Sequence, residues 1–135
     1  MTLLRRSDII VLETRDYSPV PRTFFLFNMW LFTPKGFISV VADKSNVKGD
    51  GLLVRARNKS HLDEIREYLS CDPFEVQVSD YAWRAWTTRL NISMFVMSHI
   101  ASMDYTNFKN EIHDHEYHDA CLGVWEEMWK YQHKL

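Results

Sequence analysis

Three arginines on two predicted strands are the residues of this chain whose types and spacing could do chemistry. Side chains alternate along a strand, so Arg55 and Arg57 of the segment LLVRAR share one face. In the later segment WRAWTTR, Arg84 and Trp86 share a face in the same way. If the two strands are neighbours, these four residues form a basic, aromatic strip. Guanidinium groups bind phosphate or carboxylate in a bidentate manner and tryptophan stacks on bases, so the strip predicts an anion or nucleic-acid site.

The same arginines have a structural interpretation that stays open beside the functional one. Strand arginines commonly pair with a carboxylate across a sheet, and Asp80, Asp104 and Glu75 are the candidates. Asn107 and Lys109, in the segment DYTNFK, are two further candidate ligand residues. The alternative for this segment is a joint between helices, held by a cap and two aromatic side chains.

A run of histidines and carboxylates, HDHEYHD, contains residue types that ligate metals. On a helix, His115 and Asp119 are four residues apart, as are Asp114 and His118, so each pair could share a metal ion. The run lacks a zinc-enzyme pattern such as HExxH, and a closed structural site would need four ligands. A polar helix start is therefore the favoured interpretation, and no metal or other cofactor is expected.

The chain contains none of the catalytic or nucleotide-binding motifs GxSxG, GxGxxG or the P-loop. His99 lies alone on an apolar stripe and is expected to be a boundary histidine with a satisfied ring. Whether the protein is an enzyme stays open. A non-enzymatic role is favoured, and a small hydrolase ranks third, after the two binding functions set out below.

Composition favours a packed domain that binds another protein. Of the 135 residues, 46% are hydrophobic and 14% aromatic, which is ample for one core and argues against disorder. The net charge of −2 does not favour a nucleic-acid-binding protein, because such proteins are usually basic. Five tryptophans and six tyrosines exceed the needs of a small core, so Trp83, Trp129 and Tyr131 are predicted interface residues.

The cellular compartment is inferred from cysteine usage and hydropathy. Cys71 and Cys121 form neither a CxxC motif nor a disulfide framework, which suits a reducing environment. The apolar segment Thr23–Phe32 is too short to span a bilayer. A cytoplasmic location without membrane association is therefore expected.

Apolar periodicity predicts the order β-β-β-α-β-β-α-α, an antiparallel sheet of about five strands with helices packed on one face, hence an α+β fold. The segment PKG is the expected turn of the first hairpin, and Ser60 and Asn91 are the expected N-caps of the first two helices. Apolar stripes at helical spacing run from Ile92 to Met103 and from Tyr117 to Met128. The predicted strands are Phe24–Thr33, Phe37–Asp43, Leu52–Arg57, Phe74–Val78 and Trp83–Arg89, with a further short strand within Asp8–Glu13.

Several short motifs resemble those of a family of small bacterial and phage proteins of no established activity. The shared pattern is MWxFT, GFxSVV, LxVRAR, DY followed by Arg, DYxNFK and VW, in that order. In this chain it runs from Met29-Trp30 to Val124-Trp125. The resemblance implies an architecture and no substrate. Family members usually begin at the Met-Trp pair, so residues 1–28 are interpreted as an N-terminal extension that could add one strand, or as a leader from an upstream start codon, and residues 29–135 as a single α+β domain.

Together these features favour a non-enzymatic domain that acts through protein contact, with a foreign partner or self-association as the target. A phage-type accessory protein or inhibitor of a host defence complex is one concrete form, motivated by the resemblance alone. The second hypothesis is binding of a phosphate-bearing ligand, nucleotide or nucleic acid through the strand arginines.

Overall fold

The computed structural model describes residues 12–13, 28–42 and 51–134 of the chain. The strands within these ranges are β1 (Leu12–Glu13), β2 (Asn28–Thr33), β3 (Gly36–Ala42), β4 (Gly51–Ala56), β5 (Phe74–Glu75) and β6 (Trp83–Thr88). The α-helices are α1 (Lys59–Asp63), α2 (Arg89–Ala101) and α3 (His115–Lys134), and two short 3-10 turns span Arg66–Tyr68 and Phe108–Glu111.

The strands form one sheet in the order β1-β2-β3-β4-β6-β5, and every neighbouring pair is antiparallel. The expected α+β fold with an antiparallel sheet is confirmed. The β2–β3 hairpin turns at Pro34 and Lys35, with Thr33 opposite Gly36 at its base. β4 pairs with β6, so the two strands that carry the arginines are neighbours.

One face of the sheet carries the main core, because alternate residues of adjacent strands point to the same side. Val40, Val54 and Ala85 occupy neighbouring register positions on β3, β4 and β6 and are buried. α1 and α2 cover this face through Leu62 and Ile92, which belong to the same apolar cluster. This is the helix-on-sheet packing that the periodicity predicts.

α3 begins against the tip of the β2–β3 hairpin rather than over the main core. Tyr117 and Cys121 pack with Phe32 and Phe37 in a second apolar cluster. The two phenylalanines are cross-strand partners, and their rings stack with centroids 4.5 Å apart. Because they alternate with the main-core residues, this cluster belongs to the other face of the sheet at its hairpin end.

Both expected N-caps are wrong by two or three residues. Asn58 caps α1 by accepting the Ser60 N–H at 3.0 Å, and Thr88 caps α2 by accepting the Asn91 N–H at 3.1 Å. Ser60 and Asn91 therefore supply N–H groups that are capped. In both helices an oxygen-bearing side chain lies slightly earlier in the chain and satisfies these groups.

Two predicted elements are shorter in the structure. The first helix ends at Asp63, and a 3-10 turn replaces its expected second half. The strand predicted over Phe74–Val78 ends at Glu75. Val78 adopts a left-handed φ of 55°, a conformation that cannot continue an extended strand.

β1 pairs with β2 through Leu12 opposite Trp30, so part of the strand expected within Asp8–Glu13 is present. The other features predicted for residues 1–28, including a strand start at Phe24, lie outside the described residues, as does the polar loop after Ala42. None of the described helices has both the length and the apolar character needed to cross a membrane.

Candidate functional site

The predicted strand arginines gather around one buried tyrosine. The guanidinium carbon of Arg55 lies 4.5 Å from the centre of the Tyr81 ring, and that of Arg57 lies 5.0 Å from it. Arg84 approaches the same residue and donates from Nε to the Tyr81 carbonyl oxygen at 3.4 Å. Cation–π contacts thus hold two guanidinium groups at a single ring. We term these four residues the arginine–tyrosine cluster.

Two serines orient the outer nitrogens of this cluster. Arg55 Nη2 donates to Ser39 Oγ at 2.9 Å, and Arg84 Nη2 donates to Ser79 Oγ at 2.6 Å. Ser39 is fully buried and lies directly opposite Arg55 in the β3–β4 register, so strand pairing itself positions this bond. Neutral hydroxyl groups therefore direct both guanidinium groups.

The cluster concentrates positive charge. Arg55 and Arg84 are direct cross-strand partners, an arrangement in which like charges destabilise a sheet. Within residues 28–42 and 51–134, no ion pair joins either of them or Arg57 to an acidic side chain, so the alternative salt-bridge network is not found there. Burial lowers the pKa of Arg55, and Tyr81 and the Asp80 carboxylate oppose that shift. The guanidinium stays charged at neutral pH.

The other predicted ligand residues divide between two places. Trp86 follows Arg84 on the same face of β6 and is half-buried. Asn107 accepts the Lys109 N–H at 3.2 Å and caps a 3-10 turn. The Lys109 ammonium lies 5.1 Å from the centre of the Trp125 ring. Asn107 and Lys109 thus belong to the joint before α3 and not to the arginine–tyrosine cluster.

The predicted interface residues also differ in their surroundings. Trp83 is half-buried against the main core, and the Lys59 ammonium lies 5.8 Å from its ring centre. Trp129 and Tyr131 are exposed near the end of α3. Of the three, the two on α3 are the more accessible to a partner.

The histidine-rich segment does not converge on a metal site. Asp114 caps α3 by accepting the Tyr117 N–H at 3.2 Å. His118 Nδ1 lies 3.6 Å from its neighbour Asp119, and His115 is exposed. Among the residues that the structure describes, no group of three or more His, Cys, Asp or Glu side chains could hold a metal ion.

A cleft of about 590 Å³ lies between the hairpin tip and the three helices. Three of the six histidines line it, with His61 on α1, His99 on α2 and His113 in the loop before α3. Its charged lining residues are Lys35, Glu64, Glu111 and Asp114. With neutral histidines this lining is net acidic, so the cleft suits a polar or cationic molecule better than a phosphate.

Two of the cleft histidines favour the neutral state. His61 Nδ1 accepts the Phe37 N–H at 3.2 Å, so Nε2 carries the hydrogen of the neutral ring. His99 Nε2 lies 2.8 Å from the Tyr105 hydroxyl oxygen. Burial lowers the pKa of both rings, and nearby Lys35 adds to the effect at His99. These rings are therefore hydrogen-bonding groups at neutral pH.

The hairpin tip is fastened to α1 and α3. The His61 side chain occupies the space beside Gly36, where an added Cβ would lie 2.5 to 2.7 Å from its Cβ, Cγ and Cδ2 atoms. Tyr117 donates its hydroxyl to the Thr33 carbonyl oxygen at 2.7 Å, and its ring centroid lies 4.8 Å from that of His61. Burial raises the pKa of Tyr117 well above its ordinary value, so the hydroxyl remains a donor. A glycine at position 36 is what permits this close approach.

The two halves of α3 differ in exposure. Tyr117 and Cys121 are buried, whereas every residue of Trp125–Lys134, which we term the arm, is exposed. The apolar residues of the arm are Trp125, Met128, Trp129 and Tyr131, with 51%, 42%, 50% and 56% of their surface exposed. The predicted apolar stripe is therefore buried only in its first half. A helix of 20 residues is about 30 Å long, and its second half extends beyond the residues that cover the first half.

α2 is apolar on two opposite sides. Ile92 and Phe95 are buried in the main core. Its outer α2 face consists of Leu90, Met94, Met97 and Ile100, with 67%, 44%, 65% and 50% of their surface exposed. Ile100 and Met103 were expected on the buried stripe, and this expectation is wrong because both lie at or beyond the end of the packed part of α2.

No family model matches this chain, and no curated protein or solved structure is similar enough to it to indicate a relationship. The resemblance to bacterial and phage proteins, the cytoplasmic location and the kinds of partner inferred from the sequence therefore stay predictions.

Sequence reasoning missed the cleft and the outer α2 face for different reasons. The three cleft histidines are far apart in the chain and line one cleft only in the folded protein. The outer α2 face does have a sequence signal, since Leu90, Met94 and Met97 recur at helical spacing. The stronger inner stripe of the same helix masks that signal.

Proposed function

We propose that this protein is a non-enzymatic binding domain that recognises another protein through the arm of α3. The observation that carries the proposal is the exposure of two tryptophans, a methionine and a tyrosine on one projecting helix end. Exposed apolar patches on small domains mark interaction surfaces. Tryptophan and tyrosine are also among the residues most enriched at binding hot spots.

The arm favours one mode of recognition. Because it is exposed on all sides, it suits insertion into a groove better than contact between two flat faces. Trp125, Met128 and Trp129 have the i, i+3, i+4 spacing with which amphipathic helices enter apolar grooves. Glu127 and Lys130 pair at 2.7 Å, so the polar side of the arm has no strong excess of either charge. The expected partner is a protein with an apolar, helix-binding groove.

A matched pair of double variants of the full chain tests this proposal. Trp125→Ala with Trp129→Ala removes two apolar anchors, whereas Glu126→Ala with Lys130→Ala alters the polar side of the same arm. Each protein is used as bait in extracts of the native cell, and the affinity of each purified candidate partner is then measured. We expect the tryptophan variant to lose about 30-fold or more in affinity, as for one hot-spot residue, and the control to change little.

Circular dichroism and thermal unfolding check that both variants fold. We expect both to fold like the wild type, because substitutions at exposed positions change stability by about 0.5 kcal/mol or less. A partner that binds the tryptophan variant as tightly as the wild type would contradict recognition through the arm.

Binding of a phosphate-bearing ligand at the arginine–tyrosine cluster is the second candidate function. It is supported by the cross-strand pair of Arg55 and Arg84, which forms no direct ion pair with a carboxylate among the described residues. A phosphate between the two guanidinium groups would relieve their repulsion and accept bidentate hydrogen bonds.

Fluorescence anisotropy with a labelled oligonucleotide and with a nucleotide tests this second function. Arg55→Ala with Arg84→Ala should abolish binding, while Arg66→Ala should not, because Arg66 already pairs with Asp72 at 2.5 Å. Binding through the cluster should also weaken steeply with added salt. Equal binding by the wild type and a folded double variant would exclude this site.

A further inference from the structure

The cleft between the hairpin tip and the three helices includes no residue of the arm or of the arginine–tyrosine cluster. We propose that it is a binding site for a small organic cation, an aliphatic diamine in its diammonium form. The cleft volume of about 590 Å³ lies within the range of about 300–1,000 Å³ that is usual for ligand pockets. This inference does not depend on the proposed function of the arm.

Hydrogen bonds between separate elements hold the walls of the cleft in place. His61 on α1 and Tyr117 on α3 each bond to the backbone of the β2–β3 hairpin. His99 on α2 bonds to Tyr105 in the loop that follows this helix. A ligand would therefore enter a site that is already formed, and its binding energy would not be used to order the walls.

The charges that line the cleft favour a cation. With neutral histidines, Lys35 is the only cationic side chain among the described lining residues, and its ammonium group lies 3.9 Å from the Glu64 carboxylate. The other two acidic lining residues, Glu111 and Asp114, form no ion pair with any described residue. A doubly charged cation would offset both negative charges, whereas an anion would be repelled by them.

Both unpaired carboxylates act on rings that line the cleft. Burial raises the pKa of Tyr105, and the Glu111 carboxylate adds to this shift. Burial lowers the pKa of His61, and the Asp114 carboxylate opposes that shift. The negative potential of the two groups therefore extends over the walls of the cleft.

The groups around these carboxylates suit an ammonium ion better than a metal ion. Among the residues that the structure describes, no three His, Cys, Asp or Glu side chains are placed to hold a metal. Asp114 caps α3 through Oδ1, and no described residue donates to its Oδ2, so this oxygen can accept from an ammonium group. Tyr105 and Tyr117 add aromatic rings, which attract organic cations, and Pro34 adds apolar surface for a methylene chain.

Isothermal titration calorimetry of the full chain tests which charge the cleft selects. The probes are 1,4-diaminobutane, 1,4-butanediol and succinate, which have the same chain length but are dicationic, neutral and dianionic at neutral pH. We expect saturable binding of the diamine alone, weakened by added salt. Magnesium chloride, whose cation has the charge of the diamine, should not compete with it.

A matched set of variants tests where the diamine binds. Glu111→Gln and Asp114→Asn each remove one negative charge from the cleft, and asparagine can still cap α3. The control, Glu67→Gln, removes a negative charge from an exposed position that does not line the cleft. We expect each cleft variant to weaken diamine binding by about 10-fold or more, as for the loss of one charged hydrogen bond, and the control to bind like the wild type. Circular dichroism checks the fold of each variant.

Nuclear magnetic resonance locates the bound diamine in the wild type, without any substitution. The ring nitrogen signals of His61 and His99 should shift as the diamine saturates the protein. The indole N–H signals of Trp125 and Trp129 on the arm should not shift.

Three results would overturn the inference. The first is a folded wild type that shows no saturable binding of the diamine. The second is equal binding of the diamine and the diol, which would exclude recognition of charge. The third is a folded Glu111→Gln/Asp114→Asn double variant that binds the diamine as tightly as the wild type, which would place the diamine on another surface. Failure of the arm to bind a protein is a separate result, because the cleft variants leave the arm intact.

Discussion

The two halves of α3 carry the same kind of apolar stripe in opposite surroundings. In the first half, Tyr117 is buried, bonded to Thr33 and packed against His61. In the second half, Trp125 and Trp129 expose about half of their surface. The stripe is continuous, so the difference lies in what faces it. Periodicity determines which side of a helix is apolar, and tertiary structure determines whether this chain or another molecule covers that side.

Truncation of one tyrosine in each half should give the largest contrast. Tyr117→Ala should lower the free energy of unfolding by about 3–5 kcal/mol, because it removes a buried aromatic ring and leaves a cavity. Tyr131→Ala should change it by about 0.5 kcal/mol or less, because that side chain is exposed. Urea denaturation measures both values, and equal losses would show that the arm is packed as firmly as the first half.

Gly36→Ala should weaken the anchorage of the first half of α3 by at least about 1–3 kcal/mol, because overpacking adds to the strain of a side chain at the φ of +157° that Gly36 adopts. The new methyl group would collide with the His61 ring and displace it from the hairpin tip. In a double-mutant cycle, His61→Ala should recover only part of this loss, because it removes the ring but leaves the Cβ of position 61, which an added Cβ at position 36 would approach to 2.7 Å. Strictly additive effects of the two substitutions would contradict the contact.

Gly123→Ala should strengthen the link between the two halves by up to about 1 kcal/mol, the difference in helix propensity. A Cβ at position 123 would meet no atom within 4 Å, so no clash offsets the gain. Far-ultraviolet circular dichroism should show higher helicity, and the amides of the arm should exchange their hydrogens more slowly. If the rates of amide hydrogen exchange in the arm did not change, the arm would already be as ordered as the first half of α3.

Acidification should destabilise the folded protein through two of the histidines that line the cleft, His61 and His99. Burial lowers the pKa of His61 and His99 in the folded protein, so the unfolded chain binds more protons below its ordinary histidine pKa of about 6.5. Stability is therefore complete above that pH and is lost as the pH falls from about 6.5 towards the folded-state values. His61→Asn, whose amide oxygen can still accept the Phe37 N–H, should make this loss shallower in urea titrations.

If the pH dependence were the same in the wild type and in His61→Asn, the His61 ring would not be the group responsible. The same series in His99→Asn then separates the contribution of the ring that bonds to Tyr105.

Local patterns predicted much of the fold, because turns and alternation act over a few residues. The PKG turn and the alternation in LLVRAR correctly indicated a hairpin and the sheet that it joins. The caps were displaced because Asn58 and Thr88 offer side-chain oxygens before Ser60 and Asn91 do. These errors arise where two polar side chains a few residues apart could each act as the N-cap.

Prediction of the candidate surfaces would have required contacts between residues that are distant in the sequence. Arg55, Arg57 and Arg84 could be placed on strands, but the ring of Tyr81 as their common contact required the path of the chain before β6. The extent of burial along α3 depends on the length of the helix relative to the body beside it. No pattern within the helix encodes that ratio.

The contact between Gly36 and His61 has a consequence for how this sequence can diverge. His61 fills the space beside Gly36, and the φ of +157° at position 36 disfavours any side chain there, so position 36 should change far less readily than position 61. In relatives of this chain, glycine should therefore persist at position 36 even where position 61 has changed. Position 117, whose ring packs against that of His61, should change with position 61 instead.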